Sequence, residues 1–210
     1  WLHCAIRRPP TEFVDRFLVT CEAYKVPVTI LLSKIDLQDA GGRCGVPSVY
    51  ERAGYRVLEA AAPSGEGVGE VRSLLAGRRT LVSGNSGVGK STLIRAIDPS
   101  LDIRTGEISE SHRKGRHTTT FSTMYPLSEG GAVIDTPGIK GFGLIDIDDA
   151  ELWHYFPEMM RVASGCRFYN CTHTHEPGCA VVEAVRSGEI ALARYESYLK
   201  MLDEDDKYRK

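Results

Sequence analysis

A glycine-rich stretch near the middle of the chain has the spacing of a phosphate-binding loop. Four residues separate Gly84 from Gly89, and Lys90 and Ser91 follow directly. In loops of this kind, backbone N–H groups and a helix N-terminus hold phosphate oxygens, the lysine neutralises phosphate charge, and the serine hydroxyl binds Mg²⁺. A glycine-rich turn with a surface lysine is the alternative, but the apolar run before the stretch and the helical pattern after it favour a nucleotide site. The expected nucleotide-binding residues here are Gly84, Asn85, Ser86, Gly87, Val88, Gly89, Lys90, Ser91 and Thr92.

A second phosphate-sensing motif lies downstream of this loop. Asp135 ends an apolar run, and Gly138 follows three residues later. After a phosphate loop, such an aspartate supplies a carboxylate for Mg²⁺ and such a glycine N–H can bind the γ-phosphate, although the pair alone would be an ordinary turn. The next residue, Ile139, stands where Ras-like GTPases place a glutamine that orients water. An isoleucine cannot do this, so hydrolysis needs another group.

His117 is the nearest candidate for that catalytic group. It directly follows the polar, basic stretch 99–116 and precedes a run of threonines. At neutral pH a histidine can accept a proton from the attacking water or orient it, while an exposed loop histidine is the alternative interpretation. Thr119, or failing it Thr118, is expected to offer Mg²⁺ a hydroxyl and to sense the γ-phosphate. The expected magnesium ligands are therefore Ser91, Thr119 and Asp135.

Two short motifs before the phosphate loop predict guanine recognition. Asp36 can accept hydrogen bonds from the guanine N1–H and exocyclic amine, which adenine does not offer in that pattern, and the Lys34 stem can lie over the base. Ser33 stands where a GTPase has asparagine, and Ala61-Ala62 where it has Ser-Ala. A backbone N–H meets the base oxygen at the second motif, so alanine is tolerated there. Because both motifs precede the phosphate loop, the pocket is predicted to be circularly permuted.

Near the C-terminus, cysteines and a histidine have the spacing of a structural zinc site. Cys166, Cys171, His173 and Cys179 offer three thiolates and one imidazole within a short loop-rich stretch. A full set of four protein ligands leaves no position for water, so the zinc is expected to fold the segment rather than to catalyse. His175 is a competing imidazole, but alternate residues of a tight loop point apart, so only one histidine is expected to bind. Buried free cysteines are the alternative.

The elements that must position these residues follow an α/β pattern. A continuous apolar run at Val26–Leu32 is typical of a strand buried on both faces of a parallel sheet, with ligand loops at its carboxyl end. Further strands are predicted at Leu2–Ile6, Tyr55–Leu58, Arg79–Ser83, Thr119–Tyr125 and Ala132–Asp135. Helices are predicted from Thr11 onward and at Val46–Ala53, Gly69–Leu75, Gly89–Ile97, Ala150–Met160 and Gly188–Leu202.

The overall expectation is a circularly permuted P-loop GTPase domain, with a mostly parallel sheet and helices on both faces, at residues 1–148, and a small α-helical zinc-binding domain at 149–210. Its 210 residues suffice for one α/β core with an appendage. Lys and Arg total 26 against 28 Asp and Glu, so the net charge gives no argument for or against a polyanionic partner, and any contact with nucleic acid must come from a local patch. No apolar stretch approaches the length of a membrane helix, and no signal peptide is recognisable. We expect a cytoplasmic monomer, and the start without Met suggests a fragment of a longer chain.

Together these residues resemble the circularly permuted family of ribosome small-subunit-dependent GTPase A, known as RsgA or YjeQ. The resemblance covers nearly the whole chain, from Arg16 to the tail. Its most specific stretches are Gly84–Ser91, Gly115–Thr120, Asp135–Gly138 and Cys171–Cys179.

The resemblance implies a GTPase that the small ribosomal subunit stimulates, that acts late in the maturation of this subunit and that leaves on GTP hydrolysis. It implies His117 as the catalytic group, Ile139 in place of the usual glutamine, and zinc ligation by Cys166, Cys171, His173 and Cys179. The implied cofactors are one structural Zn²⁺ and Mg²⁺ with GTP, and the implied partners are GTP or GDP and the small subunit with its rRNA. The family's N-terminal OB-type barrel has no counterpart in this sequence.

Two rival functions use the same motifs. One is an ATPase or nucleotide kinase built on the phosphate loop, and the other is a zinc-stabilised RNA or ribosome adaptor whose nucleotide site does not turn over. Arg113, Lys114 and Arg116 can contact rRNA phosphates or form a solvated loop. The segment Gly138–Gly143 leads directly into the helix and zinc module that begin near Ala150. We therefore expect loss of the γ-phosphate to change the orientation of this module toward a partner.

Overall fold

The computed structural model describes residues 2–6, 11–37, 46–85, 87–101, 103, 123–135 and 147–203. These residues form two compact units, each built from several segments of the chain. The first unit takes Trp1–Arg8, Val28–Arg43 and Val57–Lys140, and the second takes Pro9–Pro27, Cys44–Arg56 and Gly141–Lys210. The domain division at 148/149 stays a prediction, since the packing units place two early segments with the C-terminal part of the chain.

Within the described part of the chain, six strands form one sheet in the order β3-β2-β1-β4-β6-β5. The strands are β1 (Leu2–Ile6), β2 (Val28–Ser33), β3 (Arg56–Ala60), β4 (Arg79–Gly84), β5 (Thr123–Pro126) and β6 (Ala132–Asp135). β1 pairs in parallel with both β2 and β4, β4 pairs in parallel with β6, and β5 pairs antiparallel to β6.

The chain reverses its direction of travel across the sheet between β1 and β4. It passes from β1 outward to β2 and β3, then returns to the other side of β1 to form β4 and β6. In open α/β sheets, ligands bind at the carboxyl ends of strands beside such a switch point. The loop after β4 therefore lies where the topology favours a ligand site.

Helices α3 (Val68–Leu75) and α4 (Lys90–Ile97) complete the first unit. Their apolar residues recur at helical spacing, and they are buried together with residues of the strands. Full burial of each such aliphatic side chain contributes about 1.5–3 kcal/mol. This core is formed by Leu31, Leu58, Ala60, Val68, Val71, Leu74, Leu75, Val82, Leu93, Ile94, Ile97, Ile103, Leu127 and Val133.

The second unit contains the remaining helices that the structure describes. They are α1 (Thr11–Ala23), α2 (Val46–Ala53), α5 (Pro157–Val162), α6 (Ala180–Arg186) and α7 (Leu192–Leu202). A buried charge cluster lies among them. Arg194 of α7 is 1% exposed and donates to Asp15 Oδ1 at 2.6 Å and to both carboxylate oxygens of Glu158, at 2.6 and 3.2 Å. Tyr50 also donates to Asp15 Oδ1, at 3.0 Å.

The element boundaries differ from the predicted ones where local signals compete. The helix predicted at Ala150–Met160 is divided into a 3₁₀ turn at Leu152–Tyr155 and the helix α5, because Pro157 favours the first turn of a new helix. The helix predicted from Gly188 begins instead at Leu192, since Gly188 adopts a φ of +78° just after α6. Of the strand predicted at Thr119–Tyr125, the described part begins at Thr123.

Candidate nucleotide site and metal centre

The glycine-rich loop joins β4 directly to α4, as its spacing predicts. Gly89 precedes the first helical residue, Lys90, and has a φ of +95°. A Cβ atom on Gly89 would also lie 3.3 Å from Cε of Lys34. The positive φ therefore favours glycine at this position, and a side chain there would require a small shift of the lysine.

Lys90 places a buried positive charge inside this loop. Its side chain is 5% exposed, and Nζ donates to Gly84 O at 2.6 Å and to Asn85 O at 3.1 Å. A cation at a helix N-terminus is unfavourable for the helix itself, because the macrodipole is positive there. Charge, dipole and backbone N–H groups together favour an anion such as a phosphate in this loop.

The predicted guanine-reading segment contacts the phosphate loop through two side chains. The Ser33 hydroxyl donates to Val88 O at 2.6 Å, and Lys34 Nζ donates to Gly87 O at 2.8 Å. These contacts join residues more than 50 positions apart in the chain, so the two motifs form one site. Ser33 is buried and supports the loop directly, a role that its replacement of asparagine had not revealed. Asp36, in the 3₁₀ turn Ile35–Leu37, is exposed.

The loop after β3 is a hydrogen-bonded turn around Ala61 and Ala62. Ala61 N–H donates to Glu66 O at 2.9 Å, and Ala61 O accepts from Gly65 N at 2.9 Å. Gly67 has a φ of +70°, and a Cβ there would lie 1.9 Å from Glu59 O. Ala61 N–H is already bonded within the turn. Ala62 N–H has no backbone acceptor among the described residues, so Ala62 is the better donor for a base oxygen.

Asp135 has the properties of a cation ligand. It ends β6, opposite Val82 of β4, and is 6% exposed. Its Oδ1 has no hydrogen-bond partner among the described residues. Burial raises the pKa of this carboxyl group, and the positive charge of Lys90 opposes the rise. A buried carboxylate oxygen without a donor fits Mg²⁺, with the half-buried Ser91 hydroxyl as a second ligand.

Four predicted residues of the nucleotide site lie outside the described residues. They are Ser86, His117, Thr119 and Gly138. The basic residues Arg113, Lys114 and Arg116 lie outside them as well.

The predicted zinc ligands come together in the second unit. One ligand atom from each of Cys166, Cys171, His173 and Cys179 lies within 4.8 Å of the others. The Sγ atoms of Cys166 and Cys179 are 3.9 Å apart, and each lies 3.5 Å from His173 Nδ1. A tetrahedral Zn²⁺ with ordinary bond lengths places its ligands about 3.8 Å apart for two sulfurs and about 3.6 Å apart for sulfur and nitrogen. The donor set and its spacing therefore fit zinc.

Burial of the ligands also favours a cation in this centre. Burial raises the pKa of the Cys171 thiol to about 12, and it raises the pKa of Cys179 and lowers that of His173. These shifts keep the thiols protonated and the imidazole neutral unless a positive charge is present. A divalent metal stabilises the thiolates and accepts the neutral imidazole.

Glu176, for which the sequence carries no signal, organises the loop that carries His173, a predicted zinc ligand. Its carboxylate accepts from Thr172 N at 2.7 Å, from Thr174 N at 3.1 Å and from His175 N at 3.2 Å. These bonds lower the pKa of Glu176 although desolvation opposes them. His173 has a φ of +60° and is buried, whereas His175 is exposed and its Nδ1 contacts Thr174 Oγ1 at 2.8 Å. The geometry thus places only the first histidine in the centre.

None of the described helices combines the length and the apolar character needed to cross a lipid bilayer.

Comparison with known proteins places the chain near GTPases. The family model of the RsgA GTPase matches residues 4–145. The small ribosomal subunit biogenesis GTPase RsgA of Porphyromonas gingivalis is 52% identical over 216 aligned positions, which cover 99% of this chain and 69% of the relative. The crystal structure of YjeQ from Thermotoga maritima has a TM-score of 0.78 at 35% identity, with 96% of this chain and 69% of that one covered. YloQ, described as a circularly permuted GTPase, has a TM-score of 0.72 at 27% identity, with 96% and 66% covered. The chain spans about two thirds of the length of these relatives.

Proposed function

The chain belongs to the RsgA GTPase family, and we propose that it hydrolyses GTP and thereby acts in maturation of the small ribosomal subunit. The relative from Porphyromonas gingivalis carries this role in its name. GTP and GDP are the proposed ligands, and the small ribosomal subunit with its rRNA is the proposed partner that stimulates turnover.

The contact of Ser33 and Lys34 with the phosphate loop is the observation that carries this proposal. A pocket for one nucleotide requires the base-reading and phosphate-binding motifs to be adjacent, and the two hydrogen bonds to Val88 O and Gly87 O join them. Asp36 would accept from the guanine N1–H and amine, while Ala62 N–H would donate to the base oxygen. The Lys34 stem, already beside Gly89, would lie against the base.

The remaining groups of the pocket act on the phosphates. Loop N–H groups from Gly87 to Lys90 and the Lys90 ammonium would hold the phosphate oxygens, and Gly138 N–H would meet the γ-phosphate. Asp135, Ser91 and Thr119 would hold Mg²⁺, which when bound neutralises developing charge between the β- and γ-phosphates. Lys90 must then exchange its bonds to Gly84 O and Asn85 O for bonds to phosphate.

His117 is the proposed catalytic residue. With Ile139 in the position of the usual glutamine, the attacking water needs a polar group that can orient it or accept its proton. A histidine that the bound subunit places beside the attacking water would explain stimulation by this partner.

The zinc centre has a structural role in this proposal. All four ligand positions belong to protein side chains, Cys166, Cys171, His173 and Cys179, so none remains for a reacting water. GTP would hold an arrangement competent for subunit binding, and hydrolysis would release the segment Gly138–Gly143 and with it the module that follows.

Guanine specificity is tested by Asp36→Asn. We expect this variant to weaken GTP binding by about tenfold or more and to leave ATP binding unchanged, because only guanine donates two hydrogen bonds to the carboxylate. Glu129→Gln is the matched control, since it removes the same charge from an exposed turn. Equal loss of GTP and ATP binding would contradict the guanine assignment.

Turnover is tested by phosphate release from GTP with and without purified small ribosomal subunits. We expect the subunits to raise the rate, and His117→Ala to remove the stimulated part while it leaves GDP affinity intact. An adaptor with a static nucleotide site would show no stimulated release. Turnover of ATP at the same rate would favour an ATPase.

A further inference from the structure

The two base motifs of the candidate pocket carry few side chains that can donate a hydrogen bond. In residues 33–37 and 61–62, only Ser33 and Lys34 have donor side chains, because an ionised Asp36 only accepts and the other residues are apolar. Guanine presents two neighbouring acceptors, O6 and N7, on one edge of the base. How Ser33 and Lys34 use their donors therefore decides which of these two atoms the pocket recognises.

The hydroxyl of Ser33 is already bonded to the phosphate loop. A serine hydroxyl has a single O–H donor, and Ser33 donates it to Val88 O at 2.6 Å. Both residues are buried, so a hydroxyl turned towards a base would break a buried hydrogen bond, which is costly. Asparagine, which GTPases place at this position, has two N–H donors and can bind the loop and the base together. Serine can bind only one of them.

The side chain of Lys34 is also directed at the phosphate loop. Its Nζ donates to Gly87 O at 2.8 Å, and its Cε lies 3.3 Å from the position that a Cβ on Gly89 would take. Directly after β2, Lys34 has a φ of +60°, a left-handed conformation that is uncommon for a residue with a side chain. The ammonium group thus bonds to the loop backbone, and only the apolar stem remains to contact a base.

The second base motif adds one donor from its backbone. Ala61 has no hydroxyl, and its N–H is bonded to Glu66 O at 2.9 Å. Ala62 N–H has no backbone acceptor among the described residues and is the donor assigned above to the base oxygen. With the side chains of Ser33 and Lys34 bound to the phosphate loop, the two motifs supply Ala62 N–H to O6 and no side-chain donor to N7.

We propose that this pocket recognises guanine through N1, the exocyclic amine and O6 alone and makes no contact with N7, because Ser33 is a positioning residue of the phosphate loop. Asp36 accepts from N1–H and the amine, and Ala62 donates to O6. Guanine nucleotides altered at position 7 are then bound as well as unaltered ones. The inference rests on the proposed function, since it needs a guanine nucleotide in the pocket.

The test compares GDP with 7-deaza-GDP, in which a C–H group replaces N7 and the other polar groups of the base are kept. Calorimetry of the unaltered chain should give two affinities within about twofold of each other, whereas a hydrogen bond to N7 would make GDP bind about fivefold more tightly. IDP, which lacks the exocyclic amine, should bind about tenfold or more weakly than GDP, because a hydrogen bond to the charged Asp36 is lost. This third nucleotide verifies that the base is recognised at all.

Two substitutions of Ser33 show whether this residue decides the outcome. Ser33→Ala removes the bond to Val88 O, so both GDP and 7-deaza-GDP should bind about fivefold more weakly, with the ratio of their affinities unchanged. Ser33→Asn supplies a second donor, so GDP should become about fivefold tighter than 7-deaza-GDP.

Ser73→Ala is the matched control for Ser33→Ala. Ser73 is an exposed serine of α3, and its hydroxyl donates to Gly69 O at 3.0 Å within the same helix. Its loss should leave the affinities for all three nucleotides unchanged. Near-ultraviolet circular dichroism verifies that each variant is folded, and Ser33→Ala decides the question alone if the larger asparagine is not accommodated.

The outcomes separate the inference from the function on which it rests. An unaltered chain that binds GDP about fivefold or more tightly than 7-deaza-GDP overturns the inference and leaves the GTPase proposal intact. A Ser33→Ala variant that loses affinity for GDP alone, or for neither nucleotide, also overturns it, as does a folded Ser33→Asn variant that binds both equally. An unaltered chain that binds GDP, IDP and ADP equally refutes the guanine assignment itself, and the inference with it.

Discussion

Replacement of Arg194 by methionine should destabilise the second unit severely. The guanidinium is the cation that Asp15 and Glu158 share, and all three side chains are at most 3% exposed. Methionine preserves much of the side-chain volume but leaves two buried carboxylates without a positive partner. Loss of one partner from a buried ion pair costs about 3–5 kcal/mol, a large share of the total stability of an ordinary domain. The lost stacking of Arg194 over Phe156, 4.7 Å from the ring centroid, adds to this.

The stability loss should depend on pH with a defined sign. Burial raises the pKa of Asp15, and the charge of Arg194 opposes this rise. Without Arg194 the folded-state pKa of Asp15 rises further above its unfolded value of about 3.9. The folded state then binds more protons than the unfolded state, so stability falls as pH rises through the interval between the two pKa values. The deficit of the variant should thus be smaller at about pH 5 than at about pH 8.

Urea unfolding followed by the fluorescence of Trp153 measures this effect, because Trp153 packs against the core of the second unit. The triple variant Arg194→Met, Asp15→Asn, Glu158→Gln provides the internal check: it removes the buried charges together and should recover at least about 2 kcal/mol of the loss. A deficit below about 1 kcal/mol for Arg194→Met, as for an exposed ion pair, would refute the reasoning.

Two further predictions concern the metal sites. Cys179→Ser should release zinc and loosen the second unit, visible as a change in Trp153 fluorescence, because the indole packs edge-on at 4.8 Å from the His173 ring; Cys21→Ser, at a buried cysteine outside the centre, should retain stoichiometric zinc by atomic absorption. Asp135→Asn should abolish Mg²⁺-dependent GTP hydrolysis yet raise the melting temperature of the nucleotide-free chain, since it removes a buried charge whose Oδ1 atom lacks a hydrogen-bond partner; a lower melting temperature would contradict this account.

Much of the nucleotide-binding unit was predictable because its signals are local. The spacing of Gly84, Gly89 and Lys90 is set by backbone geometry within one loop, and the apolar run that became β2 needs no distant information. The predicted fold class, a circularly permuted P-loop GTPase, is confirmed by the likeness to YjeQ and YloQ. The grouping of the four candidate metal ligands was equally predictable, since Cys166 and Cys179 approach within a single short segment.

The features that were missed depend on contacts between distant segments. An arginine in a helix sequence is usually a solvated residue, and only the contact of Arg194 with Asp15, 179 positions away, explains its burial. The packing of α1 and α2 in the second unit has the same origin. The supporting role of Ser33 was not predictable, because its hydrogen bond to Val88 O depends on the fold of a loop 55 positions away.

The central position of β1 in the sheet has a consequence for synthesis of the chain. One edge of β1 pairs with β2, the next strand in the sequence. The other edge can pair only after β4 has been synthesised, since Leu2 pairs with Leu81. At ordinary elongation rates, translation of the roughly 50 residues between β2 and the end of β4 takes about 3–10 s. Over that time a nascent intermediate presents an open strand edge, the kind of surface that chaperones shield and that aggregation exploits.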